Sequence, residues 1–449
     1  METILLIIFS IFFFWLVWKR TDLGIAVIII LLPSYLVRFE ILGIPATLLE
    51  LMILLLFLAW LTKKQFFLKA EKTVFSQFWW LTLLFLLSAV LAIFISPDLR
   101  AALGIFKAYF LEPLLFFLVL INTIRSSQQT KLILGAIGIS ALFVSIIALW
   151  QYLNLLPSYE PWISEFPKRV SSIFEYPNAV GLFLAPIAVL FLGILLLAHP
   201  VDNFKNKKLK SKTRHFILGV IIFSLLAIIF SFSRGAILGI LAGVIFFSFF
   251  SRYKKWIWAI LALGIALALI IPQSRTLIYE IVTFQDVSSD VRTVLWQGTW
   301  NLLKDRPLQG AGLAGFPTIY DQYRLIKHTE LLLYPHNIIF NFWTELGLAG
   351  LIIFIWLIVK FFSQGIKFKK VRLTLNSSFS FSLPLVLLGT MIAVLVYGLV
   401  DVPYFKNDLS VFFWLLIGLL VVVERIRKSE VLTIELAKEE KETEKKVDK

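Results

Sequence analysis

Apolar runs of about 16 to 22 residues follow one another along the whole chain, and that is the length a helix needs to cross roughly 30 Å of hydrocarbon. The runs are continuously apolar, without the in-and-out alternation of barrel strands, so they predict helices and not a barrel. Spans fall near residues 3–18, 23–37, 45–61, 78–95, 103–121, 132–153, 179–198, 216–232, 235–250, 256–271, 337–361, 383–400 and 408–423. The expected fold is all-α, a polytopic integral membrane protein of about 12–13 transmembrane helices. The competing explanation, a very large soluble core, fails on composition. Hydrophobic residues make up 59% of the chain and charged residues 16%, against about a quarter charged in soluble domains. The first run lacks a basic leader and a small-residue cleavage site, and Lys19-Arg20 follow it. It is expected to be a retained helix and not a signal peptide.

One stretch breaks the pattern. Between Pro272 and Pro335 the sequence turns polar, then delivers Tyr334-Pro335-His336-Asn337 at the start of the next apolar run. The expected organisation is a single polytopic membrane domain over 1–423, a large loop at 272–335 and a charged tail at 424–449. The tail alternates Glu and Lys and is expected to be a solvated helix or a disordered end on the cytoplasmic side, with no function attached.

Lysine and arginine in the joints set the expected orientation. If joints alternate sides, one side collects Lys19-Arg20, Lys63 to Lys72, Arg125, Lys131, Lys205 to Arg214, Arg252 to Lys255, Lys367 to Arg372 and the tail. By the positive-inside rule that side is cytoplasmic and the 272–335 loop lies outside the cytoplasmic (inner) membrane. The formal charge of +15 then points to anionic membrane lipid and not to nucleic acid, because the basic residues flank spans. The opposite side favours arginine: Arg38, Arg100, Arg169, Arg234, Arg275, Arg292, Arg306 and Arg324. Arginine suits forked binding of phosphate or carboxylate, whereas lysine suffices for lipid surface charge, so an external anionic ligand is expected. Chance and loop-to-loop ion pairing are the plain alternative.

The chain has no cysteine, which removes thiol catalysis, Cys-ligated zinc and iron–sulfur chemistry. Its four histidines are His199, His215, His328 and His336, and none has ligand spacing such as His-Glu-x-x-His. Neither a metal nor a cofactor is expected.

Several external positions carry candidate chemistry. Lys168-Arg169 precede Ser171-Ser172-Ile173-Phe174-Glu175-Tyr176-Pro177-Asn178, which leads into a span; Ser231-Phe232-Ser233-Arg234-Gly235 is a tight turn between two spans. Asp290-Val291-Arg292 opens a segment, Thr293 to Leu303, that fits a surface helix ended by Asp305-Arg306-Pro307. A glycine-rich stretch follows at Gly310, Gly312 and Gly315, then His336-Asn337, and Glu345 inside the next span. Structural explanations compete for each. The glycines fit turn formation better than a nucleotide loop, since no strand precedes them. Arg234 has the alternative of snorkelling from a helix end, and Asp290 with Arg292 that of pairing with each other. Glu345 resists dismissal, because a carboxylate within a span is costly and faces a partner or a cavity.

In order, Arg-x-x-Ser-Ile-Phe-x-x-Pro-Asn-x-x-Gly at 169–181, Ser-x-Ser-Arg-Gly at 231–235, Arg292 with Trp296, Asp-Arg-Pro-Leu-x-Gly-x-Gly at 305–312, and Pro-His-Asn followed by Glu-x-Gly-x-x-Gly resemble the O-antigen ligase and polymerase superfamily. The likeness covers about 165–425; the earlier residues match it only as serial membrane helices. It implies a membrane glycosyltransferase that resembles the GT-C type and is metal-independent. Such a protein moves or polymerises a glycan from an undecaprenyl-pyrophosphate carrier onto a glycan, lipid or protein hydroxyl, as in surface polysaccharide assembly in the cell envelope. One departure is Pro335, where many relatives carry a second histidine close to the first.

The available residue types suit that reaction. Arg292 and Arg234, with Arg169 as a third, are candidates to offset charge growing on the pyrophosphate oxygens. His336 is the candidate base for the acceptor hydroxyl, since an unperturbed imidazole titrates near pH 6.5; attack opposite the leaving group implies inversion. Asn178 belongs to the substrate-binding set with Arg169, Asn337 and Glu345 to support of the helix end, and Asp290 and Asp401 to orientation. The loop is expected to cover a membrane-level site completed by the Arg169 and Arg234 turns. A different class stays open: a transporter or flippase of lipid-linked saccharides, with Lys107, Glu112 and Glu345 lining a route. The sequence does not separate ligase from polymerase or protein O-glycosyltransferase, and names neither sugar, acceptor nor oligomeric state.

Overall fold

Helix ends in this protein are set by a few local signals, and the structure, a computed structural model, shows them. It describes residues 2–447 except 42, 64–75, 160, 163, 165–167, 201–210, 273–274, 277–278, 280–282, 284–286, 326–331 and 377–378. The basic joints expected at 64–72 and 205–210, and His328, lie outside the described residues. In chain order the main helices are α1 (Glu2–Lys19), α2 (Thr21–Ile30), α3 (Leu48–Leu61), α4 (Ser76–Ile95), α5 (Leu99–Thr123), α6 (Ser127–Tyr152) and α7 (Pro177–Leu196). They continue as α8 (Ser211–Ser231), α9 (Arg234–Ser248), α10 (Lys254–Ile270), α11 (Val287–Asp305), α12 (Ile338–Lys367), α13 (Leu383–Tyr397) and α14 (Asn407–Val447).

Every expected span holds one of these helices, and the chain is an all-α, multi-pass membrane protein. Among the described residues, 7 helices are by length and composition long and apolar enough to cross a membrane, and shorter apolar helices of 10–17 residues stand among them. Of the boundaries that differ from the sequence expectation, two have a clear local cause. The run expected at 23–37 stops being α-helical at Ile30, and Leu32–Leu36 is a 3₁₀ turn, because Pro33 cannot continue the α-helical hydrogen bonds. The span expected from 45 starts instead at Leu48. Residues Ile44–Thr47 form a strand antiparallel to Arg38–Ile41, with Arg38 opposite Thr47. Thr47 and Glu50 then close a reciprocal capping box that fixes the helix start.

α7 and α14 form the centre of the bundle, with 83% and 94% of their span windows buried. α10 is peripheral: Ile257 is its one buried residue, while Trp256, Ile260 and Ile270 are exposed. Close packing around the centre rests on small residues, as expected where lipid offers no hydrophobic drive between helices. α9 carries Gly235, Gly239 and Gly243 at four-residue spacing. A Cβ on Gly235 would press into the Tyr397 ring, one on Gly239 would lie 2.8 Å from the Ala393 carbonyl oxygen, and one on Gly243 would strike Val189. This stripe lets α13 and α7 close onto α9, which brings Tyr397 against the turn between α8 and α9.

α12 is interrupted. Gly347 has φ 69° and ψ −177°, so the helix breaks there and leaves carbonyl groups without intrahelical partners. The glycine-rich stretch fills the break: Ala311 and Gly312 donate to the Thr344 carbonyl at 2.6 and 3.2 Å, and Leu348 donates to the Leu308 carbonyl at 3.0 Å. Leu313 also donates to Ala92 of α4 at 3.2 Å. The glycines at 310 and 312 are therefore architectural, with positive φ and no room for a Cβ against the backbones of Thr344 and Ser96. They splice the polar loop into the membrane bundle.

Candidate active site

Four turns meet at one end of the bundle. The segment before α7 is tied to the α8–α9 turn by Arg169, whose Nε donates to the Ser231 carbonyl at 3.1 Å and whose Nη2 donates to Asn178 Oδ1 at 3.2 Å. The guanidinium also faces the Trp162 ring at 5.4 Å. Tyr397, at the end of α13, joins the same two turns, sharing a 2.7 Å hydrogen bond with Ser233 Oγ and donating to the Asn178 carbonyl at 3.1 Å. Beyond Tyr397, residues 398–406 lead to α14 and supply the third turn. The fourth is Tyr334 to Asn337 at the head of α12.

His336 lies where the third and fourth turns touch. Its Nδ1 is 3.3 Å from Asp401 Oδ1. The Asp401 carboxylate is buried, and the Val402 amide donates to it at 2.9 Å. The contact leaves the other ring nitrogen, Nε2, as the one available to a substrate proton, the usual arrangement for a histidine base oriented by a carboxylate. His336 also has φ 47°, in the left-handed region that a non-glycine residue occupies only when its surroundings impose it. Those surroundings are explicit. Trp296 Nε1 on α11 donates to the Pro335 carbonyl at 2.9 Å, Asn337 Nδ2 donates to the Leu399 carbonyl at 3.0 Å, and the Ile338 amide donates to the Gly398 carbonyl at 2.7 Å. Asn337 caps α12, its Oδ1 accepting from the amides of Ile339 and Phe340 at 3.0 and 3.2 Å. Ser172 and Phe232, in the Arg169 segment and the α8–α9 turn, share this left-handed conformation.

Arg292 reaches the same place from α11. Its Nε donates to the Val400 carbonyl at 2.9 Å, one residue before Asp401, and both Arg292 and Asp401 act electrostatically on Tyr397. Asp290 sits on the first turn of α11, two residues before Arg292. Arg234 is the first residue of α9, exposed beside the buried Ser233. Arg169, Asn178, Arg234, Arg292, Asn337 and His336 thus belong to one connected set of turns.

Glu345 is placed differently. Its Oε2 accepts from the Ala314 amide at 2.7 Å, so its contact is with the glycine-rich stretch in the α12 break. Residues that the sequence did not single out complete the surroundings of His336. The Tyr334 ring lies 4.6 Å from the imidazole, and the Tyr334 and Tyr176 phenols act electrostatically on each other. Burial pushes both phenols above their ordinary range, and the Asp401 charge adds to this, so both stay neutral hydrogen-bonding groups. Lys406 is enclosed by Phe174, Tyr176 and Tyr35, its Nζ 4.4, 5.4 and 5.2 Å from the ring centres, and burial pulls its ammonium below the usual lysine range. No periodicity or spacing marks these residues, since each is brought in by a separate turn.

Residues 219–355 match the family model described as O-antigen ligase. The matched stretch is similar to an O-antigen ligase domain. It runs from α8 through α11 into α12, and it contains Arg234, Arg292 and His336. The rest of the candidate site reaches this matched stretch from outside: Arg169 and Asn178 from the chain before it, Tyr397 and Asp401 from the chain after it. No curated protein matches the chain. The domain match and the apolar helices together give a multi-pass membrane protein with a role of the glycan ligase or polymerase type.

Proposed function

We propose that this protein transfers a glycan from an undecaprenyl-pyrophosphate carrier to an acceptor hydroxyl at the outer face of the cytoplasmic membrane. The observation that carries the proposal is the His336–Asp401 pair at 3.3 Å, set among arginine-bearing turns at one end of a membrane bundle. His336 Nε2 takes the proton of the acceptor hydroxyl as that oxygen attacks the anomeric carbon. The bond from this carbon to the pyrophosphate oxygen breaks, the electron pair stays with the pyrophosphate, and configuration inverts. Arg292 and Arg234 face the charge that grows on the leaving group, where preorganised donors contribute most, and Arg169 holds its own turn against theirs. An apolar cavity of about 720 Å³ opens beside the Arg169 segment, lined by Leu31, Leu36, Phe143, Ile147 and Ile173 with Ser172 at its edge. It suits an isoprenoid tail whose head reaches the arginines. The chemistry assigns every step to side chains of the chain, with no metal.

The reading is tested with purified protein given an undecaprenyl-pyrophosphate-linked oligosaccharide and an acceptor. A new glycosidic product formed by the native protein and lost in His336→Ala supports it. Carrier translocation without product contradicts it and supports a flippase instead.

A further inference from the structure

A second cavity, of about 700 Å³, lies between the Arg38–Thr47 hairpin and the start of α5, with Asn407 at the head of α14 in its lining. Its volume falls within the range of small-molecule sites. Its lining differs from that of the apolar one. Arg38 and Glu40 stand exposed on the β-hairpin, Tyr35 and Asn407 close one wall, and Glu50 and Lys107 form an ion pair at 2.9 Å. Glu50 is buried, and its two oxygens are shared among the Thr47 amide, Lys107 and Asn407 Nδ2. Lys107 sits in a π-helical stretch, Phe106–Leu111, inserted into α5; such bulges re-aim side chains and recur at functional sites. Both signs of charge, an amide and aromatic faces line one concave space. That mixture suits a ligand whose groups both donate and accept and whose ring faces are apolar. Lipid tails lack the first property, and a bare anion meets Glu40 and Glu50.

The cavity is connected to the base. Asp401 and Asn407 are six residues apart, at most about 21 Å of chain, and between them Lys406 is held by Tyr35 from the cavity wall and by Tyr176, which acts electrostatically on Tyr334 beside His336. Arg292 meets the same segment at Val400, the opposite end. We infer that this cavity is the subsite for the acceptor saccharide, with the sugar seated between Arg38, Lys107 and Asn407 and its reacting hydroxyl directed along the segment to His336. The inference rests on the transfer reading above and adds where the second substrate lies.

The test places the photo-crosslinker p-benzoylphenylalanine at Phe39, which lines the cavity, at Leu333 beside the base, and at Phe94, which is exposed on α4. Each variant is full-length, in cells making the lipid-linked glycan, and captured glycan is detected by periodate-sensitive labelling. The inference predicts glycan at Phe39 and at Leu333, phospholipid only at Phe94, and loss of the Phe39 capture in Arg38→Ala. It also predicts that Arg38→Ala and Glu40→Gln raise KM for the acceptor at least tenfold, with kcat and the donor KM unchanged; Arg38 and Glu40 are exposed, so folding is not at stake. Glycan at Leu333 with phospholipid or nothing at Phe39 overturns the inference and leaves the transfer reading intact. So does an unchanged acceptor KM, or a rise confined to the donor KM. Glycan at neither position contradicts the transfer reading itself, and the inference falls with it.

Discussion

His336 is fixed from both sides, by carbonyl and amide bonds that hold its left-handed backbone and by Asp401, which holds its ring. That double constraint gives sharp expectations. His336→Ala should lower transfer by about 10²-fold or more, the usual contribution of a positioned base, while membrane insertion stays intact; product formation by insertion-competent protein is the readout, and retained transfer removes His336 as the base. Asp401→Asn should lower kcat at least about tenfold with little change in donor KM, because an amide offers its oxygen or its nitrogen to the ring and no longer dictates the tautomer. Arg292→Lys keeps the charge and loses the fork; a drop in kcat is expected, and full activity would end the leaving-group role assigned to Arg292. At this scale the sequence was partly legible. Histidine at the point where a polar loop re-enters an apolar run, and arginine enriched on one side, are local signals. Tyr176, Tyr334 and Lys406 gave none, because what matters about them is their neighbours: Lys406 is separated from Phe174 and Tyr35 by most of the chain.

The informative element is the broken α12. In the sequence the glycines read as turn formers and Glu345 as a carboxylate with a partner; Glu345 meets the Ala314 amide, and Gly310 and Gly312 pack against α12 and α4. The pattern in the sequence shows that something unusual happens between 305 and 350, but not that a loop and a helix exchange backbone bonds across it. Gly347→Ala should therefore be severe. Backbone with φ 69° and ψ −177° is adopted essentially only by glycine and costs another residue about 1–3 kcal/mol, and the new Cβ would also strike the Leu308 carbonyl; a lower unfolding temperature in detergent, with transfer lost in proportion, is the expected result. Asn337→Ala should be milder, about 1 kcal/mol for a lost helix cap, although the same side chain also anchors Leu399. Helix existence was legible throughout because each run is long and apolar. The starts at Leu48 and the stop at Ile30 were not, since they depend on a capping box and a proline outvoting hydrophobicity.

For the molecule as a whole, the arrangement is a membrane bundle that draws the turns at one end into a candidate site, with an apolar cavity lined in part by Ser172 and Ile173 and a polar one lined in part by Asn407. The absence of cysteine makes its orientation directly measurable: single cysteines at Leu333 and at Phe249 should label from opposite sides of the membrane with an impermeant maleimide, Leu333 from outside. Labelling from the same side would contradict the proposed topology. The most direct test of the central claim is transfer itself. Purified native protein, reconstituted with an undecaprenyl-pyrophosphate-linked oligosaccharide and its acceptor, should form a product with inverted anomeric configuration, and His336→Ala of equal folding should form essentially none. A product of retained configuration, or equal product from His336→Ala, would contradict the account.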